Sequence, residues 1–356
     1  MPETVGAHSH TRTMSGFEFS NGNFKFPDGV EFLGGSGDEV QFAVSMPLEE
    51  DGHFGRECPE CGQHFRIDND DYEKLPDELT LWCVYCGHAD EHSEFFTKQQ
   101  LERLERVAQD YGSQLVGDML DNSFGRMARQ NRGNSFLKIA YRSTPFYPDP
   151  LPGINEENLI RERACEGCGV RYAVFGEHRF CPVCGPLPAR IVALDALAAD
   201  ETRIEVLGNL DAGVLRTLRE AGVLDRTFAD TVENVVGTIE SFAERTFADL
   251  VPNAESIVRG RGKVFQRLND FADLFKVHAG LDLRAKVGSM WPELENAWAA
   301  RHIFTHADGV VDQKYLDQVS HSTLRVGQRL RASEDLARRA IINSRSLVNA
   351  LASPRS

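Results

Sequence analysis

The sequence predicts a mainly α, multi-domain chain. Small β modules are expected in its N-terminal half and an antiparallel helical bundle in its C-terminal half. Three observations carry this expectation. The first fifty residues contain alternating apolar and polar stretches broken by Asn-Gly and Gly-rich turns. All eight cysteines fall in four C-x-x-C pairs. From about Asp211 onward, apolar residues recur at helical spacing. With 356 residues the chain has room for two or three domains, and its 41% hydrophobic content suits a folded protein.

Residues 1–16 are polar and expected to be flexible. They lack the apolar core of a secretory signal. No apolar run approaches the roughly 20 residues needed to span a bilayer. The cytoplasm is therefore the expected compartment. Residues 17–57 read as a small β region. Within it, FEFSNGNFKF (Phe17 to Phe26) alternates about Asn21-Gly22, a hairpin signal. VEFLGGSGDEVQFAV (Val30 to Val44) repeats the pattern around a Gly-rich turn.

Two cysteine modules follow, at 58–90 and 161–190. The first pairs Cys58 and Cys61 with Cys83 and Cys86, the second Cys165 and Cys168 with Cys181 and Cys184. A C-x-x-C turn presents two thiolates to one ion, and Gly after the second Cys permits the positive φ that such a turn requires. Two turns supply four sulfurs, the preferred tetrahedral set for structural zinc. Cys86 and Cys165 are separated by 78 residues, so pairing in sequence order closes the shorter loops. Both modules resemble zinc ribbons, the second with short rubredoxin-like knuckles. Two zinc ions are expected, structural because four thiolates leave no open position. A thioredoxin-like redox role would use one pair on a βαβ frame. His53, His64, His88, His92 and His178 lie near the modules and are expected to be ordinary surface residues.

Between the modules, residues 91–140 form a helical linker. Thr97 and Gln100 have capping-box spacing and Phe96 can staple onto Leu101. Leu101, Leu104, Ala108, Tyr111 and Leu115 mark the expected apolar face. A Pro-rich linker occupies 141–160.

A helical connector is expected over 191–224 and the bundle over 225–352. Phe228, Val232, Val235, Ile239 and Phe242 form one stripe, and Val264, Leu268, Phe271 and Phe275 another. Pro292 suits the first turn of a helix that passes Trp298, reaches His306 and ends at Gly309. Ser333, Glu334 and Asp335 open a last helix that carries Leu336, Ala340, Leu347 and Leu351. Such stripes bury against one another, which favours a bundle.

The net charge of −15 is uneven. Residues 201–356 hold 21 acidic and 21 basic side chains, leaving 33 and 18 of the chain's 54 and 39 for residues 1–200. The acidic half would repel a phosphate backbone, so any nucleic acid is expected on the C-terminal half. A DNA-binding regulator is disfavoured.

The stretch RHIFTHADG (Arg301 to Gly309) places two histidines and an arginine in six residues. At i and i+4, His302 and His306 share one helix face, whereas Arg301 and His306 diverge by roughly 140°. Histidine moves protons near neutral pH, and arginine binds phosphate oxygens. Arg301, His302 and His306, late in a helical bundle, resemble the R-x4-6-H motif of the HEPN superfamily. The continuation Ala307 to Leu316 resembles its abortive-infection and toxin-like members, and the resemblance covers about 225–352.

That resemblance implies a metal-independent endoribonuclease that forms a 2′,3′-cyclic phosphate. In it, His306 is the acid/base, Arg301 binds the scissile phosphate and His302 orients or assists. It also implies a homodimer through the bundle, RNA as substrate, a protein trigger or antitoxin, and a role in phage defence. Two other readings of the motif stay open: a structural helix end, and a metal pair at i, i+4 that lacks the neighbouring Glu of zinc proteases. The alternative for the whole chain is a non-enzymatic zinc-ribbon adaptor with a helical dimerisation domain.

Overall fold

A computed structural model of the chain describes residues 12–13, 24–36, 39–48, 52–76, 78–130, 141–142, 144–154, 161–319 and 321–352. The hairpin centre expected at Asn21-Gly22 lies outside the described residues, as does most of the stretch 1–16. The chain divides into two compact units, Met1–Pro186 and Leu187–Ser356.

The N-terminal unit opens with β1 (Arg12–Thr13), β2 (Val30–Ser36) and β3 (Glu39–Val44), an antiparallel sheet in the order β1-β3-β2. β2 and β3 are the two arms read from Val30 to Val44. Next come β4 (His53–Glu57), β5 (His64–Asp68), the one-turn helix α1 (Asn69–Tyr72), and the short pair β6 (Leu81–Trp82) and β7 (Ala89–Asp90). The long helix α2 (Lys98–Gln130) intervenes. After it come β8 (Arg161–Ala164), β9 (Arg171–Val174), and the short pair β10 (Phe180–Cys181) and β11 (Gly185–Pro186).

The two cysteine modules are not separate beads. Strands from both build one antiparallel sheet in the order β4-β5-β9-β8, joined where Arg66 pairs with Ala173 and Ile67 with Tyr172. One face carries Phe65, Ile67, Tyr172 and Val174 and the other Arg66 and Ala173, all of them buried. Arg171 on β9 clamps the junction, reaching Asp68 at 2.6 Å and Asp71 at 2.8 Å. That guanidinium holds the Asp71 carboxyl well below the usual carboxylate range. A depressed carboxylate stabilises above its unfolded pKa of about 4 and loses the effect as pH falls through its folded value. Arg171→Ala should therefore lower the melting temperature at pH 7, and the difference from wild type should be smaller, though still present, at about pH 2, part-way between the unfolded and folded values. An equal difference at both pH values would show that the loss is one of packing.

α2 begins as its sequence announces. Thr97 N–H donates to Gln100 Oε1 at 3.2 Å, and Gln100 N–H donates to Thr97 Oγ1 at 3.3 Å, a reciprocal capping box. The staple differs from expectation. Leu101 is exposed, and the Phe96 ring lies 5.2 Å from the buried Arg56 guanidinium instead. The buried face is also rotated, through Gln100, Arg103, Val107, Asp110, Tyr111 and Gln114. Arg103 and Gln114 are tolerated there because they find backbone partners. Arg103 donates to the carbonyls of Ser45 and Pro152. Gln114 both accepts from Lys25 N–H at 2.7 Å and donates to Lys25 O at 2.8 Å. Tyr111 packs among Phe24, Phe26, Phe32 and Phe42.

The histidines near the modules also depart from expectation. His53, His92 and His178 are buried. His92 Nδ1 lies 2.6 Å from Tyr72 Oη, and His178 Nε2 lies 3.0 Å from Tyr172 Oη. A phenol partner satisfies a ring nitrogen that burial would otherwise leave unpaired.

The C-terminal unit is helical: α3 (Ala189–Gly208), α4 (Ala212–Glu220), α5 (Val223–Leu250), α6 (Ala254–Val258), α7 (Leu268–Leu274), α8 (Leu283–Val287), α9 (Trp291–His306), α10 (Gln313–Gln318) and α11 (Glu334–Ala352). Both apolar stripes are buried, and so are Leu336, Ala340, Leu347 and Leu351 on α11. α3 and α4 occupy most of the stretch 191–224. α3 adds Ala193, Leu197 and Ile204 to the core shared with α5, α9 and α11. The second stripe is not one helix. A 3-10 turn at Val264–Gln266 precedes α7, and a π turn over Phe275–Ala279 follows it.

Candidate metal centres and the histidine helix

Each cysteine knuckle closes on local hydrogen bonds. Gly62, Gly87 and Gly169 N–H donate to the carbonyls of Cys58, Cys83 and Cys165 at 2.9, 3.1 and 2.8 Å. The Gly after every second cysteine has positive φ: 67° at Gly62, 78° at Gly87, 79° at Gly169 and 75° at Gly185. At two of them the missing side chain also makes room. A Cβ on Gly87 would lie 2.4 Å from the Phe180 ring, and one on Gly185 would lie 3.0 Å from the Trp82 ring. Phe180 and Trp82 each precede the first cysteine of their knuckle and stack at 6.2 Å. The two halves thus lock reciprocally. Gly87→Ala should cost roughly 2 kcal/mol or more, from overpacking and a disfavoured φ. Chemical denaturation would read this loss, and Phe180→Leu should recover part of it.

The eight thiols form two sets, Cys58/Cys61/Cys83/Cys86 and Cys165/Cys168/Cys181/Cys184. The pairing follows sequence order. Sulfur–sulfur separations are 3.7 Å for Cys58–Cys86 and Cys61–Cys83, 3.9 Å for Cys165–Cys184 and 3.7 Å for Cys168–Cys181. A disulfide needs about 2.05 Å. A tetrahedron with zinc–sulfur bonds of about 2.3 Å has edges of about 3.8 Å, so the donor set fits zinc and each cluster could hold one ion. Burial pushes the Cys58 thiol up to about 11 and the Cys184 thiol up to about 12, and raises Cys83 and Cys181 as well. A divalent cation reverses that preference and turns a buried thiol into a ligand.

The histidine pair sits at the end of α9. Pro292 occupies its first turn, as expected, and the helix stops at His306. Ala307 and Gly309 N–H both donate to Ile303 O, at 3.0 and 3.1 Å, with Asp308 at φ 47° and Gly309 at φ 77°. His302 is half-buried and His306 exposed, and their ring centroids are 5.1 Å apart. Burial first, then the charges of Lys314, His306 and Arg301, lower the proton affinity of His302, while Asp312 opposes them. Arg301 is half-buried, and its Nε has no hydrogen-bond partner among the described residues. No hydrogen bond joins Arg301 to His306. The structure therefore brings His302 and His306 together and places Arg301 beside His302.

Sequence reasoning passed over Lys314. It lies on the first turn of α10, where Asp312 caps the helix by accepting from Tyr315 N–H at 2.7 Å. Ala299, Ile303, Val311, Tyr315 and Val319 form the small core that holds α10 against α9. The available signal was the run Ala307 to Leu316, whose one lysine follows a capping Asp.

Compared with protein-family models, with curated proteins and with solved structures, the chain matches none. Among the described residues, no helix is long and apolar enough to cross a membrane.

Proposed function

We propose that this chain is a HEPN-type endoribonuclease with a defence or toxin-like role, whose two cysteine clusters hold structural zinc in a recognition module. One observation carries the reading. Two imidazoles on one turn of α9 stand 5.1 Å apart in unlike surroundings, His302 half-buried with Lys314, Arg301 and Asp312 acting on it and His306 exposed. Paired titratable groups with unequal environments suit division into base and acid.

His302, held neutral, takes the proton of a ribose 2′-hydroxyl. The 2′-oxygen attacks phosphorus and the bond to the 5′-oxygen breaks. Protonated His306 gives its proton to that departing oxygen. The products are a 2′,3′-cyclic phosphate and a 5′-hydroxyl, and solvent resets both rings. Arg301 offsets the extra negative charge of the pentavalent phosphorus. A second copy of α9 would complete the site by the family pattern.

The test is an RNase assay on the purified chain, with and without EDTA, beside His306→Ala. Metal content and circular dichroism are followed for both proteins. Equal cleavage by a folded His306→Ala chain would refute the reading.

An adaptor reading is favoured by a different feature. Val116, Met119, Leu120, Phe124 and Met127 on the second half of α2 are 43–57% exposed and lie on one face. Exposed apolar stripes of this kind mark protein contacts. Loss of partner binding on Leu120→Asp, with Arg301→Ala and His306→Ala silent, would favour the adaptor.

A further inference from the structure

We propose that Arg301, Lys314, Arg325 and Arg329 form a track for the phosphodiester backbone of an RNA strand alongside the histidine pair. The inference rests on the ribonuclease reading for its ligand, but its observations are separate.

The end of α9 is tied to a distant segment. Leu330 N–H donates to Gly309 O at 2.7 Å, Val311 N–H to Gln328 O at 2.8 Å, and Gly327 N–H to Val311 O at 2.8 Å. Gly309 lets Arg329 lie close, since a Cβ there would stand 3.3 Å from Arg329 Cγ and Nε. Residues 325–328 close on themselves. Gln328 N–H donates to Arg325 O at 3.0 Å, and Arg325 N–H donates to Gln328 Oε1 at 2.8 Å. Arg325 and Arg329 are thus exposed on a backbone pinned three residues beyond His306. Lys314, also exposed, is fixed by the α10 cap.

These cations are not neutralised by the protein. Among the described residues, Arg301, Lys314 and Arg325 make no ion pair, and Arg329 reaches the exposed Asp308 only at 3.9 Å. Elsewhere in the same unit, Arg284, Arg331, Arg338, Arg339 and Arg345 each lie within 3.2 Å of a carboxylate. Residues 321–330 contain no Asp or Glu. Other cations of the unit, Arg216, Arg219 and Arg245 among them, also make no ion pair among the described residues, and Asp308, Asp312 and Asp317 lie in the same stretch as the four. What sets these four apart is that the backbone tie between Gly309–Val311 and Gly327–Leu330 gathers them beside the histidines. Four cations spread over three segments, α9, α10 and the stretch 325–329, suit a polyanion better than a single phosphate.

The experiment measures binding of a fluorescent single-stranded RNA to full-length His306→Ala over a salt series. Adding Lys314→Ala or Arg329→Ala should reduce the slope of log K against log[salt] by about 0.7 each. The two together should weaken binding on the order of tenfold at moderate salt. Arg284→Ala, which removes a paired cation, should leave the slope unchanged. Circular dichroism checks folding of every variant. Absent RNA binding, or slopes unaffected by Lys314→Ala and Arg329→Ala, would overturn the track. A chain that binds with the expected slopes but cleaves nothing keeps the track and loses the nuclease. A chain that cleaves with unaffected slopes keeps the nuclease and loses the track.

Discussion

Cys83→Ser is expected to empty both cysteine clusters and melt the central sheet of the N-terminal unit. Cys83 is fully buried, and its replacement leaves three thiols for an ion that takes four. Structural zinc contributes roughly 10–16 kcal/mol in small domains, comparable with or larger than the 5–15 kcal/mol total stability of a typical protein. The first cluster hangs on the β4–β5 turn and the second on the β8–β9 turn, and β5 pairs directly with β9. Tyr85, between Cys83 and Cys86, adds another tie. It donates to His64 O and accepts from Phe175 N–H, each at 2.8 Å. Losing the first ion therefore removes the edge on which the second module is built. Elemental analysis should give close to two ions per wild-type chain and fewer than one per variant, with the strand signal lost in circular dichroism. Retention of one full ion and an intact sheet would show that the modules fold independently.

His306→Ala is expected to reduce RNA cleavage by about 10²- to 10⁴-fold, the usual contribution of a positioned proton donor. The pH profile carries the finer test. His302 has a lowered proton affinity, so its basic form persists below the ordinary histidine value of about 6.5. The acid limb of kcat/KM should accordingly fall below that pH. Lys314→Ala removes one lowering influence and should move the limb up, whereas Asp312→Ala removes the opposing one and should move it down. Nuclear magnetic resonance titration of the His302 ring reads the same shifts without activity. The stability linkage has the matching sign. A histidine held neutral stabilises fully above its unfolded pKa, and the contribution declines as pH falls through the folded value.

The cysteine sites were legible because each knuckle is a local object. C-x-x-C-G specifies its own turn, and sequence order is the shorter closure. The sheet that unites them was not legible, since Ile67 and Tyr172 carry no signal of each other across a hundred residues of chain. α2 announced its start through Thr97 and Gln100 but concealed its inward face. Apolar periodicity finds a buried face only when that face is apolar, and here Arg103 and Gln114 point inward to backbone partners. His92 and His178 were misjudged for a related reason: a phenol that lets an imidazole be buried is visible only after folding. On α9, Pro292 and Gly309 marked the ends and the i, i+4 spacing joined the histidines. The neighbours Lys314 and Arg329 required tertiary contacts to appear.

The pairing of β5 with β9 also makes α2 and its flanks an insertion within a single sheet. Closing a flexible loop becomes costlier only slowly with length, by about 0.6 kcal/mol per doubling. The sheet therefore tolerates a long excursion between its second strand and its partner, and changes of length that spare Cys83, Cys86 and the buried face of α2 should barely alter its equilibrium stability. The rate of assembly is another matter. The β4–β5 hairpin can form from neighbouring residues, while its junction with β9 awaits an encounter across the insertion, so the sheet is completed late.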